Sequence, residues 1–291
     1  MKTGVRGIHP AAAFVFFSLV FVVTLLTWNP VLCAVSIGCA LALDIRLRGK
    51  RAVLSFFSFV LPACVLITLF NMLFAHYGVT VLFTLRSGNN VTLEAFACGL
   101  VYAVRTASTV LWLFSFNEIM TQDKVVFLFG KVAPRLALVL SMALRFIPLF
   151  FESAQEIEKA RRGIGIDSKS GSVFERFKNS LHSFSILVTR SLEHAVDTAA
   201  SMSARGYALK GRTNCMTYPF RAFDAVLPAV SVVAVLCVFA FSKSLYAEYN
   251  PVISIAPFSA KGALCCVLFF SMCILPLIFD VWEEKLWSTS G

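Results

Sequence analysis

The longest regular pattern of apolar and polar positions in this chain lies between Ser172 and Gly206. The segment contains no proline, and its only glycine is the last residue. Apolar residues recur every three or four positions, at Phe174, Phe177, Leu181, Phe184, Val188, Leu192, Ala195, Ala199 and Met202. Three- and four-residue steps are the period of one helix face. The pattern therefore predicts an amphipathic helix, roughly 50 Å long at ~1.5 Å per residue, that ends at Gly206 with a left-handed cap.

Charged side chains interrupt this helix too often for it to cross a membrane, whereas the chain on both sides is apolar over membrane-spanning lengths. The predicted spans are Ala11–Thr27, Val31–Leu43, Ala52–Ala75, Val91–Phe116, Ala222–Phe241 and Ala260–Val281. We therefore predict an all-α integral membrane protein with about six transmembrane helices and a cytoplasmic region of long amphipathic helices. The predicted domains are residues 1–117 and 216–291, which hold the transmembrane helices, and residues 118–215 between them.

Composition supports the membrane class. The chain is 58% hydrophobic and only 14% charged, where soluble domains carry about 25% charged residues, and its mean hydropathy is +0.79. The net charge of +10 is typical of basic cytoplasmic segments in a membrane protein, so we expect no nucleic-acid partner.

The distribution of basic residues predicts the topology. Lysine and arginine concentrate in the N-terminal tail, in Arg46–Arg51 and in residues 117–215, while residues 76–90 and 243–259 carry few. Because basic segments remain in the cytoplasm, a multi-pass protein of the cell membrane with both termini in the cytoplasm is expected.

One further segment, Pro134–Phe151, is apolar enough to be a span. If it crossed alone, the strongly basic stretch 159–212 would lie outside, against the positive-inside rule. Arg145 and Pro148 also fit poorly in a helix that faces lipid. We therefore expect a partly embedded or shallow helix that leads into Glu152–Arg162.

No pattern of catalytic or ligand-binding residues stands out. The nine cysteines lie almost all in apolar runs without CxxC spacing, so they are expected to act as small hydrophobic residues rather than in disulfides or a metal site. The four histidines have no metal-ligand spacing, and the chain has no GxxxxGK[ST] phosphate loop. We expect a protein that is not an enzyme and has no cofactor or metal.

Two charged helices of the central region end in similar motifs. The first is Ala160-Arg161-Arg162-Gly163 and the second is Ala204-Arg205-Gly206. Either motif alone is explained by ordinary helix capping, because basic residues and a following glycine are favourable at a helix C-terminus. Their paired occurrence favours a second interpretation, in which an arginine at a helix tip docks into an acidic groove through its planar fork.

Taken in order, several motifs resemble the transmembrane T component of energy-coupling factor (ECF) transporters, a group that includes the cobalt-transport membrane subunit. The resemblance covers nearly the whole chain. The matching segments are Ile8–Pro10, Trp28–Pro30, Phe70–Phe74, His76–Phe83, Phe116–Thr121, Leu138–Met142, Leu144–Pro148, Ser201–Tyr207 and Lys210–Thr213.

The resemblance implies a function for the two motifs. In that family, Ala-Arg-Gly motifs end two coupling helices, and each motif docks onto one ATP-binding-cassette (ABC) ATPase. It therefore implies a transmembrane energy-coupling subunit that links two ABC ATPase subunits to a substrate-binding S component, in contact with membrane lipid, for vitamin or metal-ion uptake. The first motif departs from the pattern, because it carries one extra residue, or in the other register has Gly163-Ile164-Gly165 in place of Ala-Arg-Gly. Arg205 is thus the favoured docking residue.

Arg105 lies near the middle of the fourth predicted span, where a charge is expensive and usually faces protein or a cavity. It is expected to make a contact inside the membrane, either in the bundle or with the S component; the alternative is a structural partner such as Glu94 or a backbone carbonyl. Two other functions stay open at this stage: a membrane-embedded enzyme that uses Arg105 and cytoplasmic carboxylates, and a self-sufficient channel or carrier.

Overall fold

The computed structural model describes residues 5–75, 78–84, 90–166, 172–207, 218–241, 247–249, 254–255 and 259–289. The chain divides into two compact units, one of Met1–Thr121 with Tyr218–Gly291 and one of Gln122–Thr217. The helices of the first unit are α1 (Pro10–Leu26), α2 (Pro30–Arg48), α3 (Lys50–Ser55), α4 (Leu61–Phe74), α5 (Leu93–Ile119), α9 (Ala222–Ala240) and α10 (Ala260–Thr289). The second unit has α6 (Gln122–Val132), α7 (Pro134–Gly163) and α8 (Val173–Ala204). The all-α class predicted from the sequence is confirmed.

A π-helical turn, Phe56–Val60, joins α3 to α4 in one continuous apolar helix, and a 3₁₀ turn, Val5–Gly7, precedes α1. Two short antiparallel hairpins complete the elements: β1 (Val81–Thr84) with β2 (Asn90–Thr92), and β3 (Ala247–Glu248) with β4 (Ser254–Ile255). The first hairpin leads directly into α5.

Six helices of the described chain are long and apolar enough to cross a membrane: Pro30–Arg48, Lys50–Phe74, Leu93–Ile119, Pro134–Gly163, Ala222–Ala240 and Ala260–Lys285. Five of them coincide with predicted spans. Helix α1 has 17 residues, about 25 Å at ~1.5 Å per residue, and is short for a bilayer core of about 30 Å. Helix α7 is long because its apolar first half continues without a break into the charged second half.

The core of the first unit lies where α1, α2 and α5 meet. Trp112 of α5 is fully buried and packs edge to face on Phe16 and Phe17 of α1. Its indole N–H donates to Ser36 Oγ of α2 at 3.1 Å, so the polar atom of this large apolar side chain has a partner. These contacts fix the three helices against one another.

Two carboxylates, buried Asp224 and half-buried Asp280, tie the start of the chain to the last two helices. The Asp224 side chain is buried and accepts from the backbone N–H of His9 and of Arg221, each at 2.9 Å. Asp280 of α10 accepts from the backbone N–H of Val5 at 3.2 Å. These hydrogen bonds satisfy backbone groups at the starts of α1 and α9, which have no partner within their helices.

Candidate functional site

Helix α8 ends in a fully formed Schellman motif. The N–H of Tyr207 donates to the carbonyl of Met202 at 3.2 Å, and the N–H of Gly206 donates to Ser203 at 3.1 Å. Gly206 has φ +75°, a conformation that glycine adopts without the steric cost of a Cβ atom. Arg205 is therefore the last residue before the chain reverses, and its side chain is exposed. The predicted helix and its glycine cap are confirmed.

Helix α7 ends in the same capping motif, in the second of the two registers that the sequence allowed, with Gly165 rather than Gly163 as the capping glycine. The N–H of Ile166 donates to the carbonyl of Arg161, and the N–H of Gly165 donates to Arg162, each at 3.0 Å. Gly165 has φ +81° and so occupies the place that Gly206 has in α8. The structural register thus aligns Gly163-Ile164-Gly165 with Ala204-Arg205-Gly206, and exposed Ile164 lies where Arg205 lies in the second motif.

The two adjacent arginines of α7 point to different surroundings. Arg161 is only 7% exposed, and its guanidinium donates to the backbone carbonyl of Asn179 and to Ser183 Oγ in α8, each at 2.6 Å. Arg162 has a side chain that is 45% exposed and pairs with Glu158 one turn earlier at 2.8 Å. Of the two, only Arg162 presents a cation at the surface of the second unit.

Helix α8 packs against α7 with its small and polar side rather than with its apolar side. The half-buried residues of α8 in this contact are Asn179, Ser183, Leu187, Arg190, Ser191, Thr198 and Met202, and no residue of α8 is buried. We call the predicted apolar face, without Met202, the apolar stripe: Phe174, Phe177, Leu181, Phe184, Val188, Leu192, Ala195 and Ala199. All eight of its residues are exposed, Phe174 at 76%. Such a large exposed apolar surface marks an interaction site rather than a free surface.

A groove of about 1000 Å³ lies among α6, α7 and α8. Its apolar wall includes Phe127, Leu138, Phe146 and Phe150, and its polar residues include Asp123, Arg145, Arg190, His194, Asp197 and Arg205. Exposed Arg205 therefore lines a groove with both apolar and polar walls, next to the cap of α8 that the N–H of Tyr207 closes.

Arg105 is held by aromatic rings in the first unit. Its guanidinium carbon lies 4.6 Å from the ring centroid of Trp28 and 5.2 Å from that of Tyr102, and the two rings meet edge to face at 4.9 Å. Stacking of this kind stabilises a cation within apolar surroundings. The alternative partner named from the sequence, Glu94, is instead bonded to Thr80 N–H and to Thr80 Oγ1 at 2.7 Å, so that suggestion was wrong.

Tyr249 covers the turn that carries Trp28. It is buried, and its hydroxyl donates to the carbonyl of Trp28 at 3.4 Å. Burial, with smaller contributions from nearby Cys33 and Cys98, raises the pKa of Tyr249 to about 12. The phenol therefore stays protonated and keeps its donor at physiological pH. The turn that carries Trp28 is thus held by an aromatic cluster of Trp28, Tyr102 and Tyr249, which the sequence did not predict.

Asn179 and Ser183 are the residues of the central region that sequence reasoning missed. They lie on the polar side of α8, which an amphipathic pattern assigns to solvent. Asn179 takes part through its backbone carbonyl, for which the sequence carries no signal, and Ser183 through its hydroxyl. The small serine on this face is the available signal.

The chain is similar in sequence to one protein family and to several curated proteins. The family described as cobalt transport protein, CbiQ, matches residues 6–215. The energy-coupling factor transporter transmembrane protein EcfT of Brevibacillus brevis is 35% identical over 106 residues, which is 35% of this chain and 39% of that protein. EcfT of Bacillus selenitireducens is 38% identical over 96 residues, 33% of this chain and 36% of the relative.

EcfT of Limosilactobacillus fermentum is 35% identical over 100 residues, 34% of this chain and 38% of that protein. The aligned stretch thus spans less than half the length of each of these curated relatives. The family match covers most of the chain and includes α1 to α8, with both arginine motifs and Arg105. The resemblance seen in the sequence is confirmed: the chain belongs to the CbiQ cobalt transport protein family.

Proposed function

We propose that this chain is the transmembrane energy-coupling subunit of an ECF-type ABC importer, a non-catalytic protein that links ATP hydrolysis by two partner ATPases to a substrate-binding S component for vitamin or metal-ion uptake. The observation that carries the proposal is α8 itself. One helix presents an exposed arginine at a glycine cap and, along its length, an apolar stripe that stays exposed among the described residues of the second unit.

The helix tips are the proposed ATPase-docking sites. Arg205, flanked by Ala204 and Gly206, is exposed on a backbone that two capping hydrogen bonds hold in place. The cap fixes the backbone from which the Arg205 side chain extends, and the exposed guanidinium keeps its five donors for a carboxylate groove. The first site is the end of α7, Ala160–Gly163, where Arg162 supplies the exposed cation.

The apolar stripe is the proposed contact for the S component. An S component is itself an apolar membrane protein, and burial of exposed apolar surface stabilises association by about 25 cal/mol per Å² before the costs of ordering are subtracted. The stripe and Arg205 lie on one uninterrupted helix. A movement that an ATPase imposes on the tip is therefore transmitted to the S component without a flexible joint.

The orientation follows from the same proposal. Both termini and the second unit lie in the cytoplasm, where the ATPases are, and the chain is a multi-pass protein of the cell membrane. The basic residues of the second unit support this placement.

Co-purification tests the proposal. The tagged chain, co-expressed with ABC ATPases and an S component from the same organism, is expected to retain two ATPase subunits and one S component in detergent. Arg205→Glu should lose the ATPases and keep the S component, whereas Phe177→Asp with Phe184→Asp should do the reverse. A chain that purifies without either class of partner would contradict the proposal.

A further inference from the structure

The contact between α7 and α8 has an unusual composition for two long helices. The helices run antiparallel, since Glu156 of α7 pairs with Arg190 of α8, and Arg161, further along α7, reaches Asn179, earlier in α8. The side of α8 that faces α7 is mostly small and polar. Hydrophobic burial, which normally holds packed helices together, is therefore weak here, and specific polar contacts must fix the crossing.

Arg161 is the strongest of these contacts. Its guanidinium makes two hydrogen bonds of 2.6 Å and is almost fully buried, whereas the Glu156–Arg190 pair is 3.0 Å long and has both side chains exposed. Exposed ion pairs contribute little to stability. Charge-assisted hydrogen bonds from a buried guanidinium contribute more, and the buried donors are costly to leave unpaired.

The backbone of the same residue also closes the cap of α7. The carbonyl of Arg161 accepts the N–H of Ile166, which is the outer hydrogen bond of the Schellman motif. One residue thus ties the terminal turn of α7, through its backbone, to the body of α8, through its side chain. The turn that carries Arg162 and Ile164 is thereby positioned on α8 near Asn179 and Ser183.

We propose that Arg161 is a positioning residue that pins the tip of α7 to α8, so that the two helices, with their ends, form one rigid lever. Arg162, its neighbour, has a half-exposed side chain that pairs with Glu158 in its own helix, and it serves as the matched comparison. The role of this contact in coupling rests on the proposed function, but the contact itself can be tested on this chain without any partner.

Distance measurement on the full chain in lipid nanodiscs tests the pin. Nitroxide labels are attached through keto amino acids introduced at Ile164 and Lys178, which leaves the native cysteines unchanged, and double electron–electron resonance gives the distance distribution. Wild type and Arg162→Ala are expected to give the same narrow distribution. Arg161→Gln should broaden it. Arg161→Lys keeps one terminal nitrogen that can donate to both acceptors, as Nη1 does in wild type, but on a different side-chain geometry, so it should give an intermediate width.

Hydrogen exchange provides a second readout that needs no label. In Arg161→Gln, exchange of the backbone amides of Gly165 and Ile166 is expected to accelerate roughly tenfold or more, the scale on which charge-assisted hydrogen bonds stabilise local structure. Ser183→Ala removes one acceptor and should give a smaller increase. It should add little to Arg161→Gln, because both changes remove the same contact.

The outcomes separate the pin from the proposed function. An unchanged distribution and unchanged exchange in Arg161→Gln would overturn the pin, whether or not the ATPases bind. A broadened distribution in a chain that binds no ATPase would support the pin and contradict the coupling function. Equal broadening in Arg162→Ala and Arg161→Gln would also overturn the assignment. It would mean that the positive charge at the end of α7, and not the hydrogen bonds of Arg161 to α8, fixes the crossing of the two helices.

Discussion

Reversal of the charge at Arg205 is expected to abolish ATPase binding without destabilising the free chain. Among the described residues, the Arg205 guanidinium has no hydrogen bond or ion pair, and the side chain is exposed. The cap of α8 uses backbone groups and Gly206, which Arg205→Ala and Arg205→Glu both retain. A surface change of this kind alters stability by about 0.5 kcal/mol or less, so the melting temperature should stay close to that of wild type.

The expected effect on binding is much larger. Loss of one partner of a buried charge pair at an interface costs on the order of 2–5 kcal/mol, partly because the other charge is left unpaired. At about 1.4 kcal/mol per tenfold change in affinity, this is a loss of roughly 30- to 5000-fold for Arg205→Ala. Arg205→Glu should be weaker again, because it places a like charge against an acidic groove.

The assay is binding of the purified ATPases to the chain in nanodiscs, with Lys50→Ala as the matched control. Lys50 is an exposed cation of the first unit and belongs to neither helix tip, so its loss tests whether net charge alone accounts for the effect. Changes at Arg162 should be milder, because exposed Ile164 occupies the position in α7 that matches Arg205. Wild-type affinity in Arg205→Glu would refute the reasoning and leave Ala204-Arg205-Gly206 as a helix cap only.

Three further predictions concern topology, the intramembrane arginine and the helix caps. A cysteine introduced in residues 243–259 should label from outside the cell, and one in residues 163–172 should not. Arg105→Leu should lower the melting temperature and disturb complex assembly, because two cation–π contacts of ~0.5–2 kcal/mol each are lost, while Arg105→Lys should be intermediate. Gly165→Ala should destabilise the end of α7 by about 1–2 kcal/mol, because the backbone φ of Gly165 is positive. Gly163→Ala should stabilise it by about 0.5–1 kcal/mol, because Gly163 is helical and has open space around it. Limited proteolysis and thermal unfolding measure both effects.

Each of these three predictions has an outcome that would contradict it. Outside labelling of residues 163–172 would mean that the apolar half of α7 crosses the membrane alone. Arg105→Leu with wild-type assembly, stability and uptake would remove any role for this residue. Equal stability of the two glycine variants would contradict the left-handed cap at the end of α7.

Features that depend on local pattern were predictable from the sequence. The period of three and four residues identified α8 and its end at Gly206, because a helix repeats its face every 3.6 residues whatever surrounds it. The apolar composition identified the membrane class, because only long apolar helices and closed barrels satisfy their backbone within lipid. The ordered motifs identified the family. All of these are properties of contiguous residues.

The tertiary structure decided which neighbours each side chain has. Adjacent residues on a helix point about 100° apart, so Arg161 is buried against α8 while Arg162 is exposed, although the sequence treats them alike. The apolar face of α8 is also left open, because Asn179 and Ser183 provide the contact with α7. Arg105 packs on Tyr102 of its own helix and on Trp28 of the turn before α2, and the contact with Trp28 depends on helix packing that no local pattern specifies.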